Sequence, residues 1–253
     1  MTSTLDNLID ALVAARGDGP PVDAARFAHV ITNADDAYLV QTAVANELDW
    51  FGDQPARHWK SGGPSRGALL THSPLPPARV WTSPTVVSWW PFVQRGVEAE
   101  IALRLGEAVD AERAEGLDFD SALLLVDAMA VSIELVASRW QQAFQAPPLL
   151  RLADLQSHAA LVLGDWQPFT PRDWTTQRCR VRIGPRETEL VGTHACQHPG
   201  WVLADWLRHA TREGPLPAGA VVTTGTWCGM LPAEAGELVE VTFEGIGHAA
   251  VHF

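Results

Sequence analysis

From Val97 to Phe253 the chain is written in short alternating segments, and that period limits the folds open to it more than any other feature. "VEAEIALRL", "VSIELVAS", "CRVRIG", "ETELVGTHA" and "AVVTTGT" read as strands, and "LVEVTFEGIGHAAVHF" reads as a hairpin turning near Gly245–Gly247. Helical spacing interrupts them in "DFDSALLLVDAM", "LADLQSHAALVLG" and "PGWVLADWLRHATREG". The last has Pro199 in its first turn and Gly214 at its end. Because strands and helices do not alternate as regular βαβ units, an α+β fold is predicted rather than a doubly wound sheet. Upstream, Leu5, Leu8, Ile9, Leu12 and Val13 mark one helix, with Ser3 or Thr4 as its cap. Asn33 caps a second that carries Tyr38, Val40, Val44 and Leu48. Residues 52–91 form a long irregular stretch, which in a compact domain signals function, and Trp59, Trp81, Trp89 and Trp90 argue that it is ordered. The division expected is a helical portion over 1–60 and a β-rich portion over 61–253, packed as one unit, the second holding whatever site the chain has.

The formal net charge is −12, which argues against nucleic acid as the partner because phosphate binding needs clustered Lys and Arg. Three cysteines, Cys179, Cys196 and Cys228, make no disulfide framework and suit a reducing compartment. The first residues lack the basic and apolar regions of a secretory signal, and no run approaches the roughly 18 apolar residues of a membrane span. A cytoplasmic protein is expected.

The alternation poses a chemical question. Glu98 and Glu100 leave one face of a strand whose other face carries Ala99, Ile101 and Leu103. Such a face is either wet or holds something positive. Glu134 is the one acid in "VSIELVASRW", and a lone carboxylate among apolar neighbours is costly unless paired or bound to a metal. Three carboxylates from two strands make a hard-oxygen site that suits Mg²⁺ or Mn²⁺ rather than zinc. Lys60, in "RHWKSGGPSRG", reads either as a surface lysine or as a proton-transfer group held by a Gly-rich turn. "TTGTWCG" reads as a tight turn whose amides, with Thr224 and Thr226, could hold a carboxylate. Cys228 has no identifiable base beside it, and His194, Cys196 and His198 lack the fourth ligand of a soft metal site.

In order along nearly the whole chain, "DAYLVQTAV", "WKSG", "VEAEIALRLG", "IELVASRW", "LADLQSHAALVLG", "HPGWVLADWLRHATREGPLPAGAVVTTGT" and "GELVEVTFEGIG" resemble the fumarylacetoacetate hydrolase superfamily. Within it the likeness is to the 2-oxopent-4-enoate hydratase and 4-oxalocrotonate decarboxylase branch. The resemblance implies a mixed, rolled β-sheet with a helical N-terminal portion, commonly assembled as a homo-oligomer. It implies Glu98, Glu100 and Glu134 as ligands of a divalent cation, usually Mg²⁺, and Lys60 as the active-site lysine. Thr224 and Gly225, with the retained Arg139, are assigned to a small 2-oxo-acid substrate. Departures accompany these matches. The family's acid after the lysine loop is replaced by Thr71 or His72, its Asn in the A-D-N-x-S pattern by Leu155, and an acid after the strand glutamate by Ala137. His72 is therefore expected to stand in for the missing acid. The reactions implied are hydration of a 2-hydroxypenta-2,4-dienoate-like acid in aromatic breakdown, or decarboxylation of a diacid such as 4-oxalocrotonate. A degenerate subunit supporting a related active enzyme is the non-enzymatic alternative.

Overall fold

The computed structural model describes residues 4–17, 19–87, 89–91 and 94–253. Helix α1 (Thr4–Arg16) buries Leu8, Leu12 and Ala15, at the spacing of one helical face. Ser3, one of its two expected caps, lies outside the described residues. Helix α2 (Ala34–Glu47) begins where expected, the Asn33 side chain accepting from the Asp36 amide at 2.9 Å. The stretch after it is built from short strands: β1 (His58–Gly62), β2 (Thr71–Pro74), β3 (Val80–Thr82) and β4 (Thr85–Val86). The long strand β5 (Gly96–Leu105), helices α3 (Ala111–Glu115) and α4 (Phe119–Leu123), and the strand β6 (Val126–Val136) follow. Next come α5 (Pro148–Ala153), β7 (His158–Leu163), β8 (Gln167–Pro168), β9 (Arg178–Ile183), β10 (Arg186–Val191) and α6 (Leu203–Ala210). The chain closes with β11 (Val221–Thr223), β12 (Leu231–Pro232), β13 (Leu238–Phe243) and β14 (Gly247–His252).

The larger sheet runs β2-β1-β11-β5-β6-β7-β3, with β12 alongside β5 and β8 alongside β6. It is mixed: β1 with β11 and β3 with β7 are parallel, while β11-β5-β6-β7 is antiparallel. The sheet curls into a half-barrel, the rolled α+β architecture expected. The second sheet, β10-β9-β13-β14-β4, packs against β6 and β7. Between the sheets, Ala99, Ile101, Leu103, Ile133, Leu135 and Val162 are buried, each large side chain worth about 1.5–3 kcal/mol on removal from water. A smaller core joins Leu8 and Leu12 of α1, Val40 and Val44 of α2, Trp140, and Leu150 and Leu152 of α5. The helices are tied to the sheet as well. Gln41 of α2 donates to Ser73 Oγ of β2 at 3.0 Å and to the Leu152 carbonyl at 2.6 Å.

Two segments read as helices are helical only in part and then run into strands. In "LADLQSHAALVLG" the helix ends at Ala153 and β7 starts at His158, and in "DFDSALLLVDAM" β6 begins at Val126. Both strands have apolar neighbours on both faces, so alternation disappears and a continuous apolar run imitates a helix. The line drawn after residue 60 falls inside β1, a strand of the larger sheet. Among the described residues, no helix is long and apolar enough to cross a membrane.

Candidate metal centre and its cavity

Strand register assembles the site. Across the β5–β6 ladder Glu98 lies opposite Glu134, and Glu100 lies opposite Ser132. On the other side of β5, Thr223 of β11 pairs with Ala102, and Lys60 of β1 pairs with Thr223. Three carboxylates and one ammonium therefore converge on one face, at a cavity of about 350 Å³. Carboxylate oxygens of Glu98, Glu100 and Glu134 lie within 4.8 Å of one another. The face is not wet: Glu100 is 2% exposed and Glu134 0%.

Like charges opposed across a ladder are destabilising unless something answers them. Part of the answer is present. Glu134 Oε1 accepts from Lys60 Nζ at 2.5 Å and from His158 Nδ1 at 2.9 Å. Glu100 Oε2 accepts from the Thr223 hydroxyl and, at 3.0 Å, from the Gly225 amide. That amide points inward because Gly225 sits at φ +101°, a conformation that side chains strongly resist. The other oxygen of Glu134, Oε2, is buried with no hydrogen-bond partner.

The electrostatics show what is left unanswered. Burial, reinforced by Glu134, pushes Glu98 up to about 7. Burial, with Glu134 and Glu98, pushes Glu100 up to about 8. Burial works against the Lys60 charge, yet Glu134, Glu98 and Glu100 outweigh it and hold the lysine above its ordinary value, so it is an ammonium. Glu134 is likewise held below the usual carboxylate range, since Lys60 and His158 overcome its burial. Burial pushes His158 down to about 4, so the ring is neutral, and because a carboxylate only accepts, Nδ1 carries the hydrogen. Three acids thus face one lysine, and two keep protons near neutrality. An oxygen-only donor set with an orphaned buried oxygen, and with two acids more than the one lysine can balance, fits a hard divalent cation.

Other expected residues are placed differently. His72 is on β2 opposite Ser61, and alternation turns both away from the Lys60 face. Its Nδ1 lies 2.9 Å from Ser61 Oγ, its ring packs 4.9 Å from that of His209, and burial pushes it down to about 3. The assignment of His72 to proton transfer is corrected by a register of one residue: Thr71 shares the lysine's face. Arg139 is also corrected. It is buried, donates to Asp154 from Nε at 2.6 Å and from its amide at 3.1 Å, and does not line the cavity. Thr224 and Gly225 do line it, but the Thr224 hydroxyl is used on the Ile101 carbonyl at 2.7 Å. Burial raises the Cys228 thiol, which disfavours a nucleophile. His194 forms part of the wall with Nε2 on the Thr224 carbonyl at 2.8 Å, whereas His198 accepts from the Gly200 amide at 2.9 Å. Among the described residues, the three glutamates are the one group able to hold a metal ion. Neither Trp81 nor Trp89 lines the cavity; they pack edge to face with each other at 5.8 Å.

Three participants had gone unnoticed. Thr223 and His158 orient Glu100 and Glu134, and Gln156 lines the cavity. Reading 152–164 as a single helix hid the turn that delivers the last two. Leu155, Gln156 and Ser157 in that turn all have left-handed φ, between +51° and +62°.

A model of the fumarylacetoacetate hydrolase C-terminal family matches residues 75–253. The 2-keto-4-pentenoate hydratase 2 of Dechloromonas aromatica (strain RCB) is 28% identical over 262 residues, covering 96% of this chain and 94% of that protein. Among solved structures, 4-oxalocrotonate decarboxylase from Pseudomonas putida G7, complexed with magnesium and adipate, superposes with a TM-score of 0.83 at 20% identity, over 100% of this chain and 99% of that one. The same decarboxylase complexed with calcium and acetate gives a TM-score of 0.82 at 19% identity, with the same coverage.

Proposed function

Because the chain belongs to the fumarylacetoacetate hydrolase family, we propose that it is a divalent-cation-dependent hydro-lyase adding water to an unsaturated 2-oxo-acid of the 2-hydroxypenta-2,4-dienoate kind. The observation that carries this reading is the Glu98–Glu100–Glu134 cluster, with Glu100 and Glu134 buried and Glu98 half-buried, whose Glu134 Oε2 is left without a partner and whose carboxylate oxygens converge as cation ligands would. These glutamates would hold Mg²⁺ or Mn²⁺, which when bound supplies a Lewis acid for the 2-oxo oxygen, where negative charge develops. Thr223 and the Gly225 amide fix the Glu100 carboxylate, and His158 fixes that of Glu134, so the ligand oxygens are oriented before substrate arrives. Lys60 stores a proton at Nζ. It gives that proton to a substrate carbon as the conjugated double bond shifts, and recovers one from the water that adds. His72 and Arg139 have no part in this scheme, and Thr224 contributes the wall beside Gly225.

Replacing Lys60 by methionine is expected to lower kcat by about 10²–10⁴-fold, the range of general acid–base catalysis, while Mn²⁺ binding persists. Steady-state kinetics beside metal titration checks both halves. The reaction is tested by incubating purified protein with Mg²⁺ and either 2-hydroxypenta-2,4-dienoate or 2-oxohex-3-enedioate, following UV absorbance and CO₂ release. Loss of dienoate absorbance without CO₂ supports the hydro-lyase. CO₂ from the diacid alone replaces it with the decarboxylase, and inertness toward both replaces it with a supporting subunit.

A further inference from the structure

We propose that Gln156, braced on Thr71, is the specificity-determining residue of this site and that it selects a substrate tail carrying no charge. The inference rests on the 2-oxo-acid reading above and specifies what lies at the other end of that acid.

Charge comes first. Among the described residues lining the cavity, the one cation is Lys60, already 2.5 Å from Glu134. Among the described residues no arginine lines it. Arg66 donates to the Cys196 carbonyl at 2.7 Å and stacks over Trp201 at 4.6 Å, while Arg139 and Arg16 converge on Asp154. His194, the wall's one histidine, has Nε2 on the Thr224 carbonyl, and its Nδ1 accepts from the Cys196 amide at 3.2 Å. With the glutamates and the acid's 2-oxo end given to the cation, and Lys60 engaged by Glu134, a second carboxylate at the far end would meet no counter-charge among the described wall residues. Burying an ion without a partner is heavily penalised.

What the wall offers instead is neutral and directional. Gln156 Nε2 donates to Thr71 Oγ1 at 3.0 Å, and the Thr71 hydroxyl lies 3.4 Å from the Gly62 carbonyl, which sets the sense of the chain. Gln156 keeps one amide hydrogen and its Oε1 acceptor for a ligand. Thr71 shares the Lys60 face of the β1–β2 ladder, so the pair stands on the lysine's side of the cavity. Pro64 and the 76%-exposed Leu69 add apolar surface to the same wall.

The position of Gln156 is costly to maintain. Leu155, Gln156 and Ser157 are consecutive non-glycine residues at φ +51°, +53° and +62°, a conformation that such residues hold only where their surroundings enforce it. The enforcement is visible at both ends of the turn. Asp154 is clamped by Arg139 at 2.6 Å and Arg16 at 2.8 Å, and His158 is fixed on Glu134 at 2.9 Å. Strain held so firmly beside a cavity is consistent with a side chain that has to be placed.

The test is calorimetric binding of two saturated analogues, 2-oxopentanoate and 2-oxohexanedioate, to the full chain with Mg²⁺, for the wild type and for Gln156→Arg. The wild type is expected to bind the mono-acid at least about tenfold more tightly than the diacid, a difference of about 1.4 kcal/mol. Gln156→Arg is expected to move that ratio at least tenfold toward the diacid. Tighter binding of the diacid by the wild type, or a ratio unmoved in a folded Gln156→Arg, would overturn the role of Gln156 and leave the 2-oxo-acid reading standing. Binding of neither acid would overturn both. The wild-type comparison decides the choice of tail even if that variant does not fold, and Gln156→Lys then takes its place in deciding the role of Gln156.

Discussion

Substituting glutamine for Glu134 is expected to weaken Mn²⁺ binding by well over about 100-fold and to remove turnover with it. Outer-shell changes alone cost about 10–100-fold in metal affinity, and this substitution alters a proposed ligand. Glu134 is also the hub of the cluster, since its Oε1 joins Lys60 and His158 and its presence raises both Glu98 and Glu100. Glutamine keeps the shape but loses the charge, so a half-buried ammonium is left facing two acids that titrate nearer their ordinary value. Two measurements check this: a Mn²⁺ titration followed by electron paramagnetic resonance, and the hydratase assay at saturating metal. Unchanged affinity for Mn²⁺ would remove Glu134 from the ligand set.

The second large effect is on stability and lies outside the cavity. Asp154→Ala is expected to cost about 3–5 kcal/mol, because it strips the shared carboxylate from two guanidinium groups that have little access to water. Asp154 is 0% exposed and accepts from Arg139 Nε at 2.6 Å, the Arg139 amide at 3.1 Å and Arg16 Nη2 at 2.8 Å. Burial, with the neighbouring Arg139 charge, already pulls Arg16 down to about 9 against the support of Asp154, and removing that acid takes the support away. At about 2–4 °C per kcal/mol for a chain of this size, a fall in Tm of roughly 6–20 °C should follow in a thermal scan. The same carboxylate ties α1 to the turn before β7, so residues 1–60 and 61–253 are proposed to lose structure together in one transition. A loss below about 1 kcal/mol would show that the arginines find other partners.

How much of this was legible in the sequence depended on whether a residue's neighbours kept their period. Glu98 and Glu100 were readable because β5 places charges at alternate positions of an otherwise apolar strand, and Glu134 because it is the one acid in "VSIELVASRW". Lys60 was readable as a candidate only. What makes it an ammonium is the three glutamates across the sheet, and the pairing of β1 with β11 leaves no mark in "HWKSG". His72 failed for a related reason. β2 is four residues long with mixed composition, too short for a period to say which side chains face the lysine. Arg139 was assigned to substrate from the resemblance, but its partner Asp154 is 15 residues away in a segment read as an unbroken helix. Gln156 and His158 were lost in that same segment, because β7 is apolar on both faces and its preceding turn contains no glycine to announce left-handed backbone.

The most direct test of the central claim is a calorimetric titration of the purified protein with Mg²⁺ and Mn²⁺ between pH 6 and pH 8.5, in buffers of different ionisation enthalpy. Glu98 and Glu100 are raised to about 7 and about 8, so at the acid end both hold protons that an incoming cation must displace. One ion per chain is predicted, with protons released on binding and affinity climbing as pH rises through those two values. A protein that takes up neither ion at pH 8.5, or whose affinity ignores both pH and the replacement of Glu98 and Glu100 by glutamine, would contradict it.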